Sequence, residues 1–284
     1  MKRKKRGNNF WKENLVYDGF KYSLKYTRDS KNYIFFGLFL FLISISLGYA
    51  FPKLFEEQLI QMIKELLQQT IGLDAFGMIK FIVFNNVKSS FFGLFFGLLF
   101  GILPMVMIVV NGFLLGFVAT RAVSSDGILV LWKLFPHGIF EIPAVIISVG
   151  IGLRLGLFLF SIKNKTKGFA AFVISLVCFF FLFSFFSVIL SLFLHSANPV
   201  DLQNNYSLLM KNPVFFTFYL ALMFFFFALS SYLSLYIFLK KERVLIIKDY
   251  FFNIRSAIIV FVFLIIPLLV IAGIIEGSLI SWVK

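Results

Sequence analysis

Seven stretches of this chain run for about twenty residues with little or no charge. That is the length a helix needs to cross the hydrocarbon core of a bilayer. They fall at about 32–51, 79–101, 104–121, 137–160, 169–194, 214–239 and 256–275. A bilayer core offers no water to satisfy backbone amides and carbonyls, so spanning segments are helices or closed barrels, and unbroken apolar runs select helices. The expected fold is all-α, a polytopic transmembrane helix bundle of about seven spans. A soluble domain is excluded by composition. Of 284 residues 60% are hydrophobic and 14% charged, with a mean hydropathy of +0.95, more apolar surface than one core can hide.

The segments between the spans set the rest of the organisation. Residues 1–31 form a basic arm that opens Met-Lys-Arg-Lys-Lys-Arg and interleaves Lys21, Lys25 and Arg28 with Phe10, Trp11, Leu15, Phe20 and Leu24. This pattern reads as a solvated tail followed by an amphipathic helix on anionic lipid headgroups. Residues 53–69 alternate Leu54, Leu59, Ile60 and Ile63 with Glu56, Glu57, Lys64 and Glu65. That is helical periodicity with too much charge to span, and it predicts a second interfacial helix. Residues 32–276 make the transmembrane domain, and 277–284 a short C-terminal tail. Ile79–Val123 is too long for one span and barely long enough for two; Gly101-Ile102-Leu103-Pro104 reads as the turn. A re-entrant hairpin would keep the same parity.

The net charge is +14. With seven spans and the N-terminus inside, segments 1–31, 161–168 and 240–255 carry 18 lysines and arginines, against 5 in the segments expected outside. The positive-inside rule then predicts a multi-pass protein of the cell membrane, N-terminus cytoplasmic and C-terminus outside. The first apolar run starts too far from Met1 for a cleavable signal, which predicts an uncleaved anchor. The charge falls in loops rather than on a basic domain, so lipid rather than nucleic acid is the expected partner. The lone Cys178 leaves no internal disulfide and no cysteine metal cluster.

The chemistry-bearing residues gather in the outer half of this topology. Pro136-His137-Gly138-Ile139-Phe140-Glu141-Ile142-Pro143-Ala144 opens the fourth span, placing His137 and Glu141 on one helical face. An ionisable residue within a span is costly and marks a candidate site. Asn85, Asn86 and Lys88 in the second span, Arg121 at the end of the third and Glu276 at the end of the seventh lie at a similar expected depth. The expectation is a polar cluster opening outward, in which Lys88 or Arg121 neutralises Glu141. Each residue also has a structural role open to it: capping for His137, ion pairing for Glu141, interhelical hydrogen bonding for the asparagines. A metal would need a third ligand and His195 lies in another loop, so no metal or cofactor is expected. No phosphate loop, nucleophile elbow or HExxH run occurs. Gly93, Gly97 and Gly101, then Gly112 and Gly116, and Gly152 and Gly156, form small-residue ridges on which helices can approach closely or self-associate.

The Pro136–Ala144 run, with Gly150, Gly152, Arg154, Leu155 and Gly156 behind it, resembles the central motif of the stage II sporulation protein M family. Asn85-Asn86, the glycines through Pro104, and Asn111-Gly112 resemble the part that precedes it. Ala272-Gly273-Ile274-Ile275-Glu276-Gly277 resembles the family's last span. The resemblance implies a multi-pass membrane protein of bacteria and archaea. Its name-giving member is a membrane-embedded scaffold for two cell-wall hydrolases during engulfment. The basic arm and the seven predicted spans exceed what the shorter sporulation members have. The leading expectation is a non-enzymatic scaffold of a membrane or envelope complex, with membrane or envelope proteins, or further copies of itself, as partners. The alternative is a transporter or channel using a polar cavity around Glu141, and an intramembrane enzyme ranks last.

Overall fold

The apolar runs fold as helices, and charged segments between them extend the same regime. The structure, a computed structural model, describes residues 14–127, 135–161, 165–197, 213–240 and 242–283. The helices are α1 (Leu15–Asp29), α2 (Lys31–Ala50), α3 (Glu56–Thr70), α4 (Ala75–Phe95), α5 (Ile102–Asp126), α6 (Phe135–Gly156), α7 (Lys165–Ala197), α8 (Pro213–Phe238), α9 (Arg243–Val260) and α10 (Ile266–Val283). Among the described residues there is no strand, and seven helices are long and apolar enough to cross a membrane.

Several boundaries differ from the sequence expectation. The turn between the second and third spans closes earlier than Gly101–Pro104. Leu99 leads into Phe100 (φ 59°) and Gly101 (φ 71°), both in the left-handed region. Glycine adopts that region without strain, and Pro104 falls in the first turn of α5, where its missing N–H has no intrahelical partner to lose. Residues 240–255, expected as a loop, are mostly helix: α9 starts at Arg243 and runs through a π turn (Phe261–Ile265) into α10. Exposed lysines do not break a helix whose backbone bonds are intact; only the turn at Leu239–Glu242 does, where Leu239 O accepts from Glu242 N and Arg243 N at 2.9 Å. The π turn has its own cause. Pro267 cannot donate to Phe263, and its ring crowds that carbonyl; the wider turn lets the Ile266 N–H bond Phe261 O instead.

The chain divides into two compact units, residues 1–156 with 251–284, and residues 157–250. In the first, α6 is the central helix. Half of its crossing length is buried, the largest share among the seven. On one side Ile146, Val149 and Leu153 pack with Phe41 of α2 and Ile108 of α5. On the other Ala144, Ile151 and Leu155 pack with Leu94 of α4 and Val260, Leu264 and Leu269 of the last helices. Gly97 lies on Gly152, and Gly156 on the backbone of Gly97, Phe100 and Gly101, so α4 and α6 run parallel in direct backbone contact. α2 and α5 also run parallel, Gly112 facing Phe41 and Ser44 and Gly116 facing Ile45 and Tyr49. In the second unit α7 and α8 pair in antiparallel sense through Ser175–Ser231, Ser187–Tyr219 and Phe186–Phe226.

Candidate functional site

The spacing along α6 decides what Glu141 meets. Ser148 is fully buried, and its hydroxyl donates to Ser90 O on α4. Glu141 lies seven residues earlier, two turns up the same face, and so points toward the junction of α4, α6 and α10. There α10 reaches α4 through its glycines: Gly273 sits against Val83 and Gly277 against Ile79. This register carries Glu276 to the level of Glu141, and the two carboxylates act on each other electrostatically. Glu141 itself is half-buried.

The other sequence candidates part company with this pair. Asn86 is seven residues before Gly93 and shares its α6-facing side, half-buried. Lys88 and Asn85 are exposed, Lys88 on the far side of α4. Arg121 is engaged elsewhere: it pairs with Glu56 of α3 and stacks on Phe117 at 5.5 Å. The expected neutralisation of Glu141 by Arg121 is thus replaced by a clamp between α5 and α3. The reason is the extra length of α5, which carries Arg121 beyond the apolar core to where α3 lies. There Leu59, Ile60 and Ile63 pack against Phe113 and Phe117. The side chain of His137 lies outside the described residues, as do residues 1–13 of the basic arm and the side chain of His195. Among the described residues no three His, Cys, Asp or Glu side chains converge as metal ligands.

Sequence reasoning missed a second polar cluster at the opposite end of α6. Arg154 Nη1 donates to Ser30 Oγ at 2.7 Å, and its guanidinium stacks on the Tyr26 ring at 4.4 Å. Tyr26 donates to Asn253 Oδ1 at 3.0 Å, and Tyr22 and Ser256 share a hydrogen bond of 2.6 Å. Burial pushes the Tyr26 phenol well above its ordinary range, against the opposing pull of Arg154. The signal was present in α1: Gly19, Ser23, Tyr26 and Ser30 recur at helical spacing and are all buried. Small polar residues among lysines read as solvated face until a neighbour is known.

Residues 37–192 match the family described as Stage II sporulation protein M. The chain belongs to that family. No curated protein and no solved structure matches it. The stage II sporulation protein M match spans α2 through most of α7, including the backbone-contact glycines, Asn86 and Glu141. It stops short of α1, α8, α9 and α10. Each polar cluster therefore joins a residue inside the family match to one outside it: Glu141 to Glu276, and Arg154 to Tyr26.

Proposed function

We propose that this protein is a non-enzymatic scaffold of a membrane or cell-envelope complex, seated in the cell membrane with its N-terminus inside and its C-terminus outside. The orientation rests on the lysine and arginine asymmetry of the connecting segments. The observation that carries the scaffold reading is the backbone contact at Gly97–Gly152, Gly101–Gly156, Gly116–Ile45 and Gly48–Phe113, which joins four crossing-length helices. Glycine ridges bring helix backbones into direct van der Waals contact, which ties these four helices into one packed body on which partners could assemble. Its partners would be envelope or membrane proteins, or a further copy of the chain.

The Glu141–Glu276 pair favours the second reading, a transporter in which a membrane carboxylate handles a proton. Proteoliposomes loaded with a pH-sensitive dye separate the two. Under an imposed proton gradient, the scaffold reading expects the protein to leak no faster than empty vesicles. A proton leak that Glu141→Gln abolishes, while the variant keeps its thermal midpoint, overturns it.

A further inference from the structure

The helix α1 has three faces, and only one of them is used by the protein. Gly19, Ser23, Tyr26 and Ser30 make the docked face: Gly19 seats on the Phe263 ring in the π turn, and Ser23 Oγ donates to Gly19 O and Ile259 O. Val16, Tyr17, Phe20 and Leu24 make an apolar strip that is 43–66% exposed. Lys21, Lys25 and Arg28 form an exposed cationic rim beyond it, bordered on its far side by Asp18 and Asp29, with Lys31 just past the helix end. At about 100° per residue the strip lies about 105° around the helix from the docked face, and the cations about 90° further on. α1 itself, at about 22 Å, is too short and too charged to cross a bilayer.

This arrangement fits one environment. A helix fixed sideways to a membrane bundle, with an apolar strip on its second face and cations on its third, matches the boundary between acyl chains and headgroups. Four apolar side chains left in water beside a buried docked face would form an adhesive patch. The sign of the rim selects the lipid: Lys21, Lys25, Arg28 and Lys31 face the strip's edge, and Lys2, Arg3, Lys4, Lys5 and Arg6 precede the helix in sequence. We propose that α1 is a docking surface for an anionic bilayer face, held in register with the bundle by the Arg154–Tyr26–Ser30 contact. This assignment is independent of the scaffold reading.

The test uses the full chain in nanodiscs, with Cys178→Ala as background and an environment-sensitive fluorophore on Phe20→Cys or Lys25→Cys. In discs containing phosphatidylglycerol, the Phe20→Cys label should shift to the blue relative to phosphatidylcholine discs, and high salt should reduce the shift. The Lys25→Cys label should stay water-like in both. Replacing Lys21, Lys25, Arg28 and Lys31 by glutamine should reduce the lipid dependence, each change weakening seating roughly fivefold, and adding Lys2, Arg3, Lys4, Lys5 and Arg6 to the glutamine set should remove it. A Phe20→Cys label that reports water in both lipids, or an equal blue shift in both without salt response, overturns the assignment to anionic lipid. A blue shift that appears only when two copies share a disc also overturns it, and assigns the strip to a second copy.

Discussion

The two compact units solve the same problem with opposite materials. Residues 1–156 and 251–284 bring helices together on glycine, so that backbone meets backbone at Gly97–Gly152, Gly156–Gly101 and Gly116–Ile45. Residues 157–250 contain one glycine, Gly168. They join α7 to α8 through rings and hydroxyls: Phe183, stacked on Phe179 of its own helix at 5.7 Å, meets Tyr219 of α8 edge-on at 5.2 Å, while Ser175 and Ser231 share a hydrogen bond of 3.0 Å. Lipid tails are as apolar as leucine, so neither unit can rely on a hydrophobic drive between helices. Glycine contacts gain from close approach and admit one register. Rings can slide and still find a stacked or tilted neighbour, so the second unit is expected to tolerate change.

A short series of substitutions would break or sharpen this contrast. Gly156→Leu should lower the stability of the first unit most, by about 3 kcal/mol or more, since overpacking into backbone leaves nothing that can yield. Thermal unfolding in detergent reads it, and a parent-like midpoint would show that backbone contact does not hold the bundle. Phe183→Leu in the second unit removes two ring pairs and should cost about 1 kcal/mol. Phe181→Leu, 69% exposed, should leave the midpoint unchanged. A loss at Phe183 as large as that at Gly156 would erase the distinction. Ser175→Ala should cost less than Phe183→Leu, on the order of 0.6 kcal/mol, the usual size of an interhelical hydrogen bond in a membrane; a double-mutant cycle with Ser231→Ala checks it.

Much of this fold is legible in the chain. Helix, the number of crossing-length runs and two amphipathic segments follow from hydropathy and period, which are local properties. The i, i+4 spacing of Gly93, Gly97 and Gly101 is visible too, although nothing in that spacing names α6 as the helix it meets. The candidate site is legible only in part. Glu141 announces itself because a carboxylate in an apolar run is rare, and the depth of Glu276 follows from topology. Arg121 goes to Glu56 rather than Glu141, and depth alone cannot foresee this, because it does not tell one neighbour from another at the same end of a bundle. α3, an exposed and charged helix, supplies the nearer carboxylate.

The amphipathic arm makes the same point from the other end of the molecule. Its lysines and aromatic residues identify an interfacial helix from sequence. Its docked face does not, because glycine and serine among lysines form no apolar stripe and resemble solvated surface. Sequence by itself determined that this chain is a helical membrane protein, since burial in lipid demands satisfied backbone within each segment whatever the neighbours. Only the tertiary structure decided which glycines touch which backbone, which cation pairs with which carboxylate, and that Arg154 grips α1. Those outcomes depend on register between distant segments, and register is set by the shape of two surfaces together.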